Sequence, residues 1–559
     1  MTAEDGDKQS NPWWRSLTLL LGPTLAAIVY FLAAPHWPHS ASITAAVGVW
    51  MATWWITEAI PLPATALLPI ILFPILGLDS GPPRIGQAME WKAVDPASTK
   101  GFVVLVRVLE VEGTQARVQI TSAEGVTSER QVPWNELKPT QKTSLIQAVT
   151  APYGDANIFL YMGGFILALA VERWGLHRRF AIGLMMLLGT SGASILLGMM
   201  LATAILSMWI SNTAATTIML PIALGICRWL DGSEGGDAEK PSASNRAGGT
   251  ASMLLLSIAY AATIGGMATT IGTPTNGVAL NVLKQHGIEI TFLSWLMIAG
   301  PIALLTLFAT WLVLLLYFRQ GFKASSSEAA SSLKSEWTKL GKMRYEEWAV
   351  LTIFMLTASA WIFRGPIQSV AVGSFGAMMQ RIDDTVISMV GAMLLFIVPA
   401  NWRNGRFLID WQALTQLPWG VLLIFGGGLS LAAAMQSSGL VQEMEAGLGI
   451  LRGWPIGWML LAIVLSIVFL SEMASNVAIA TAFTPVIFAM AMAIDGSPKQ
   501  LVIAATLAAS CGFMLPVATP PNAIVFGTGR ISQQQMLRVG LILNLISSAI
   551  VALSVRWLA

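Results

Sequence analysis

Two short polar clusters interrupt apolar sequence and carry residue types that can hold a small cation beside an anion. Ser207-Met-Trp-Ile-Ser211-Asn212-Thr213-Ala214 reappears as Ser471-Glu-Met-Ala-Ser475-Asn476-Val477-Ala478, at an offset of 264 residues. The same offset relates Gly163-Gly164 to Gly427-Gly428, Gly175-Leu176 to Gly439-Leu440, Thr217 to Thr481 and Pro221 to Pro485. A second pair follows downstream, Gly272-Thr273-Pro274-Thr275-Asn276 and Ala518-Thr519-Pro520-Pro521-Asn522. Ser, Thr and Asn side chains bond free backbone groups at helix ends. Where two half-helices meet at a tip, one end offers unsatisfied carbonyls and the other unsatisfied N–H groups. Carbonyls with Ser and Asn oxygens suit a hard cation such as Na⁺. N–H groups at the positive end of a helix dipole suit a carboxylate or another oxyanion. Gly272 and Ala518 let the backbone approach closely, and the following prolines leave carbonyls without an intrahelical donor.

These clusters need elements to position them, and the composition says which. The chain has 559 residues, 55% hydrophobic and 11% charged, with a mean hydropathy of +0.66; a soluble protein carries about 25% charged residues. Charge-free windows recur at 17–34, 43–56, 62–78, 158–171, 253–271, 292–317, 421–435, 458–470 and 501–518. Some fall short of full spanning length, as broken or tilted helices do. The expectation is an all-α polytopic membrane protein. Residues 1–12 lack a basic stretch before the first apolar run, so no cleavable signal is expected and that run reads as the first span. A net charge of +2 gives no sign of a nucleic-acid partner. Cys227 and Cys511 lie in apolar contexts and suggest no disulfide framework. His36, His39, His177 and His286 show no metal-ligand spacing. The 22 Trp and 27 Met read as lipid-interface anchors and packing residues.

The chain divides into a tail and first span (1–42), a first repeat (43–318), a linker (319–346) and a second repeat (347–559). Each repeat reads as three spans, a short amphipathic stretch, a re-entrant hairpin, a broken helix and a final helix. The linker's stretch from Arg319 to Arg344 holds Arg319, Lys323, Lys334, Lys339, Lys342 and Arg344 against Glu328 and Glu336, a surplus that marks a cytoplasmic loop. His177-Arg178-Arg179 and residues 403–406 are assigned to the same side. Counting spans from there puts the N-terminus inside and the C-terminus outside, so the repeats are inverted. Paired polar interruptions in such repeats are the sequence pointer to a transporter's binding site.

Residues of about 85–145 do not fit this pattern. Phe102 to Val111, Ala116 to Thr121 and Arg130 to Val132 alternate or are β-branched, with turns at Glu112-Gly113 and Glu124-Gly125. A small β-meander is expected, inserted between the third and fourth spans on the outer side. Eight basic and eight acidic residues over 79–150 balance, so the positive-inside rule is silent there. A tolerated insertion and a partner-binding or assembly module both account for it.

Neither tip carries an ionisable residue except Glu472, which has no counterpart at Met208. A proton-coupled carrier is expected to show carboxylates within its spans. Neutral oxygens at the tips favour coupling to Na⁺, and Glu472 reads as structural.

The Ser211-Asn212-Thr213, Ser475-Asn476-Val477, Gly272-Thr273-Pro274-Thr275-Asn276 and Ala518-Thr519-Pro520-Pro521-Asn522 motifs resemble the signature of the divalent anion/sodium symporters, carriers of dicarboxylates, citrate or sulfate. Gly163-Gly164-Phe165 through Trp174-Gly175-Leu176-His177-Arg178-Arg179 is similar too. The resemblance covers nearly all of the chain except residues 1–15 and about 85–145. It implies a homodimer in lipid, with a stationary scaffold and a mobile transport domain that moves by an elevator motion. It also implies two sodium sites. Ser207, Ser211, Asn212 and the Gly272 backbone would form the first. Ser471, Asn476 and the backbones of Ala474 and Ala518 would form the second. Asn212, Thr213, Thr273, Pro274, Asn476, Val477, Thr519 and Pro520 would line the substrate. Val477 departs from the Thr of many bacterial members and removes a hydroxyl.

The sequence thus reads as a sodium-coupled importer of C4-dicarboxylates or citrate, and not as an enzyme, since no nucleophile–base or metal set converges. Sulfate transport, sodium-independent exchange and a receptor built on the same fold remain the alternatives.

Overall fold

The computed structural model describes residues 12–78, 88–94, 101–112, 115–121, 127–133, 137–139, 145–188, 191–230, 249–318, 334–401, 404–448 and 453–559. Among them, seven helices are long and apolar enough to cross a membrane. The chain forms two compact units, residues 1–154 with 426–450, and residues 155–425 with 451–559. Each unit takes segments from both sequence repeats.

In the first unit, the leading helix Pro12–Ala33 packs on His39–Thr57. Trp54 Nε1 donates to the Leu19 carbonyl at 3.2 Å. Gly22 sits against the rings of Trp50 and Trp54, where a Cβ would come within 2.6 Å of the indole. The short helices Leu62–Thr65 and Leu68–Leu76 follow. The Tyr153 hydroxyl donates to the Ala66 carbonyl at 2.5 Å.

The inserted segment is a five-stranded antiparallel sheet of β1 (Ala88–Val94), β2 (Gly101–Glu112), β3 (Gln115–Thr121), β4 (Thr127–Pro133) and β5 (Leu137–Pro139), in the order β4-β3-β2-β1-β5. Val106, Val118 and Val132 are buried. The meander is present, extended by β1 and β5 at one edge. Gly113, Glu124 and Gly125 of the expected turns, like residues 1–11, 319–333 and Arg403, lie outside the described residues.

The second unit contains both hairpins and both broken helices. Ala156–Arg173, Leu176–Leu188, Gly192–Ser207, Asn212–Leu230, Gly249–Met267, Pro274–Gln285 and Phe292–Tyr317 make up the later part of the first repeat. Trp419–Ser437, Leu440–Leu448, Ile456–Ser471, Asn476–Ala493, Pro498–Ala509, Pro520–Gly527 and Gln533–Leu558 repeat them element by element, the first two of these reaching into the other unit. The descending arms of the hairpins, Gly192–Ser207 and Ile456–Ser471, have 16 residues each. At 1.5 Å per residue they rise about 24 Å, short of the roughly 30 Å of a bilayer core. Neither arm alone therefore reaches the length of a full span.

The glycine pairs of the repeat have a packing role. Gly163 lies on the Ser388 backbone of Asp384–Ile397, and the Ser388 hydroxyl donates to the Leu160 carbonyl at 2.7 Å. Its counterpart Gly427 lies on the backbone of Ala66. Each repeat thus receives a helix of the other through a residue with no side chain. The equivalent residues Tyr161 and Phe425 meet with ring centroids 4.7 Å apart.

Gly249–Met267 is buried along nearly its whole length, which explains its small, unbroken apolar sequence. Its Gly265 rests against the Ala204 backbone of the first hairpin. At the start of Tyr345–Val370, Arg179 is clamped by Glu347 at 3.1 Å and by the carbonyls of the preceding Leu340 and Gly341. Arg178 and Lys339 both pair with Glu336. Of the linker's basic residues, Lys339 is therefore committed to a local pair. Cys227 and Cys511 are both buried, the Cys511 sulfur 3.9 Å from that of Met267.

Candidate functional site

Hairpin one ends at Ser207 and restarts at Asn212. The Ser207 hydroxyl is fully buried and donates to Asn212 Oδ1 at 2.7 Å. Hairpin two repeats this: the Ser471 hydroxyl lies 2.7 Å from Asn476 Oδ1. It also lies 2.6 Å from the Ala509 carbonyl, and its single proton serves one acceptor at a time. The two Ser–Asn pairs have the same length although their chains are 264 positions apart.

The broken helices supply the other wall. Gly249–Met267 stops, and Pro274–Gln285 begins with proline at its first position, where the missing N–H costs nothing. Thr273 before it is extended, with φ −140° and ψ 143°. In the second repeat Thr519 has φ −141° and ψ 148° and caps Asn522 N at 3.2 Å. Each break is spanned by an asparagine amide. Asn276 Nδ2 donates to the carbonyls of Gly266 (3.0 Å) and Thr269 (2.7 Å). Asn522 Nδ2 donates to Gly512 (3.2 Å) and Leu515 (3.1 Å). Both asparagines are fully buried. They replace the backbone hydrogen bonds that the breaks forfeit.

Hairpin tip and break meet in both repeats. A Cβ on Gly266 would overlap Asn212 Oδ1 and lie 3.2 Å from the Gly272 carbonyl. A Cβ on Gly272 would lie 2.6 Å from the Gly266 carbonyl and 3.0 Å from that of Ser207. Ser207, Asn212, Gly266 and Gly272 therefore converge. In the second repeat, a Cβ on Gly512 would lie 3.3 Å from the Ala518 side chain and 3.5 Å from the Ser471 carbonyl. Ser471, Asn476, Gly512 and Ala518 form the matching cluster, with room for the methyl group that the first lacks. Ala474 is buried beside this tip. The two breaks are joined to each other: Thr275 and Ser510 share a hydrogen bond of 3.1 Å, and the Tyr260 hydroxyl donates to the Phe513 carbonyl at 2.9 Å.

The remaining sequence-predicted residues sit differently. Ser211 is exposed and its hydroxyl accepts from Ala214 N at 3.2 Å, so in this state it caps a helix. Thr213 and Pro520 are exposed, Asn212, Pro274, Asn476 and Val477 half-buried, and Thr273 and Thr519 buried. The set thus grades from buried Ser207, Ser471, Thr273 and Thr519, through half-buried Asn212, Asn476, Pro274 and Val477, to a rim at Thr213 and Pro520. Five residues take parts that the sequence analysis did not assign, although Asn276 and Asn522 belong to its motifs. Asn276 and Asn522 span the breaks, Gly266 and Gly512 admit the tips, and Thr269 binds the Met208 carbonyl at 2.5 Å while accepting from Gly272 N. The repeated asparagine after Thr-Pro was the one signal available for these.

The family model described as the sodium:sulfate symporter transmembrane region matches residues 10–558. The sodium-dependent dicarboxylate transporter SdcS of Staphylococcus saprophyticus is 36% identical over 548 residues, 97% of this chain and 90% of that protein. SdcS of Staphylococcus aureus is 37% identical over 543 residues, 96% and 90% of the two chains. Among solved structures, the YdaH transporter of Alcanivorax borkumensis superposes with a TM-score of 0.51 at 15% identity, over 88% of this chain and 97% of that one. That is a likeness of fold.

Proposed function

The chain belongs to the sodium:sulfate symporter family, and from that premise we propose that it imports C4-dicarboxylates such as succinate, malate or fumarate, or citrate, driven by Na⁺. The observation that carries this reading is the duplicated Ser–Asn oxygen pair, 2.7 Å in each hairpin, beside a broken helix. In each pair a hydroxyl proton bridges two oxygens. A cation binding there takes that proton's place, and the hydroxyl turns its lone pairs inward. Ser207, Ser211 and Asn212 with the Gly272 carbonyl hold the first Na⁺. Ser471 and Asn476 with the carbonyls of Ala474 and Ala518 hold the second. Ser211 joins by releasing its cap on Ala214.

The substrate sits above the cations, against Asn212, Thr213, Thr273, Pro274, Asn476, Val477, Thr519 and Pro520. Na⁺ below the rim offsets the repulsion that two carboxylates would feel in a site without a basic side chain. Binding of ion and anion is then mutually dependent, which is the basis of coupling. Transport proceeds by an elevator motion of the hairpins and breaks in a homodimer of the plasma membrane. The basic linker lies in the cytoplasm, with the N-terminus inside and the C-terminus outside. The similar SdcS proteins, whose names specify sodium and dicarboxylate, support the substrate class.

The test is uptake of labelled succinate, citrate and sulfate into proteoliposomes containing the purified protein. Succinate uptake is expected with an inward Na⁺ gradient and at background in choline or K⁺. Equal uptake in sodium and choline would overturn the symporter reading. Sulfate uptake without succinate uptake would assign the anion named in the family description instead.

A further inference from the structure

Glu472 is the one ionisable residue at either tip, and it is 3% exposed. Its carboxylate is fully engaged. Oε1 accepts from Met514 N at 2.8 Å and from Asn544 Nδ2 at 2.7 Å, and Oε2 accepts from Leu515 N at 2.9 Å. Asn544 in turn accepts from Phe513 N at 3.2 Å. Three successive N–H groups of the second break thus end on one carboxylate or on the amide it holds. Such a nest of backbone N–H groups favours an anion, and here the chain supplies its own. The first repeat does this without charge. Met208 stands in the place of Glu472, and its carbonyl accepts from Thr269.

We propose that Glu472 is a positioning residue and fixed counter-charge for the second cation half-site. It ties the second break to the tip of hairpin two, and it makes that half-site the tighter of the two. The inference rests on the reading that the tip-and-break clusters hold Na⁺. Glu472 adjoins Ser471 in sequence, and its Oε1 would stand 3.7 Å from a Cβ on Gly512, a member of the same cluster. With its oxygens aimed at N–H donors, it acts on a cation through its field, which decays slowly where water is excluded. A net negative charge a few ångströms from one half-site, and none beside the other, ranks the two: the second fills first. The arrangement also keeps these N–H groups from the substrate, so the anion draws its donors unequally from the two repeats.

The experiment uses the purified full chain and two readouts, the Na⁺ dependence of thermal unfolding in detergent and the Na⁺ dependence of succinate uptake. Glu472→Gln is expected to raise the Na⁺ concentration for half-maximal stabilisation and for half-maximal uptake roughly tenfold to a hundredfold. The succinate KM at saturating Na⁺ should stay within about twofold. Glu472→Asp, which keeps the charge, should restore most of the Na⁺ affinity. An unchanged Na⁺ half-saturation in a folded Glu472→Gln protein overturns the proposal, as does an equal loss in Glu472→Asp. Ser207→Ala and Ser471→Ala leave Glu472 in place and decide the ranking even if the Gln variant does not fold. The low-concentration phase of stabilisation should vanish in Ser471→Ala and survive in Ser207→Ala, and the reverse overturns the proposal. A wild-type protein with no Na⁺ response in either readout defeats the sodium reading itself, a result distinct from all of these.

Discussion

Hairpin one and hairpin two solve one geometric problem with different surroundings. Both hold a Ser hydroxyl against an Asn oxygen at 2.7 Å, and both breaks are spanned by an asparagine amide. Around this shared core the repeats diverge. The first is packed to the limit, with Gly266 and Gly272 both touching backbone or Asn212; the second has Ala518 where the first has Gly272. The first break is tied by a threonine hydroxyl and the second by a buried carboxylate. Thr213 of the first repeat is matched by Val477 in the second. What the two repeats share is the 2.7 Å distance between the Ser and Asn oxygens. What differs is charge and volume one layer out, Glu472 against Met208 and Ala518 against Gly272.

The comparison can be broken most severely at its shared core. Asn212→Ala and Asn476→Ala each remove a hydrogen-bonding oxygen worth about 1.5–3 kcal/mol toward a charged partner, so Na⁺ affinity should fall roughly 10- to 100-fold. Succinate uptake should drop to near background in both while the protein still reaches the membrane. Wild-type Na⁺ dependence in either variant would remove that asparagine from the site.

Packing should separate the halves next. Gly272→Ala drives a methyl group against the carbonyls of Gly266 and Ser207, an overpacking of about 1–3 kcal/mol. The converse change, Ala518→Gly, costs about 0.5–1 kcal/mol through chain entropy. Thermal unfolding of the purified variants should rank them in that order, with uptake following. Equal tolerance would mean that the halves are packed alike.

These differences mark how far the sequence could be read. The hairpins and breaks were legible because Ser-Asn and Thr-Pro-x-Asn are helix-end signals that recur at fixed offsets. Three strands were legible from β-branched runs. β1 was not, because Met89-Glu90-Trp91-Lys92 lacks such residues, and β5 is three residues long and ends in proline. Within the site, the oxygen ligands could be aligned between repeats, but the role of Glu472 could not. Its partners lie 42, 43 and 72 residues downstream, and a carboxylate satisfied by backbone N–H groups leaves no motif. The glycines that admit the tips are equally silent, since close approach is a property of the neighbour.

Two smaller effects sharpen the contrast at the rim and away from it. Val477→Thr restores the hydroxyl that Thr213 already offers and should change the succinate and sulfate KM by no more than a few-fold, in unequal measure. An identical response of both anions would show that position 477 does not select between them. Replacing residues 85–145 with a short Gly/Ser linker should change Na⁺-dependent uptake least of all, since loop closure varies slowly with length. Abolished transport in a folded deletion would assign the sheet a part in gating or assembly.

The two buried thiols have a practical consequence. Cys227 and Cys511 are the only cysteines of the chain, and both are shielded. A water-soluble maleimide therefore finds no native target in this state. A single cysteine introduced at Met473, 74% exposed at the tip of hairpin two, or at Val517, 69% exposed in the second break, becomes the sole reactive handle. The rate at which it is labelled, with and without sodium and succinate, follows the hairpin in an otherwise natural sequence.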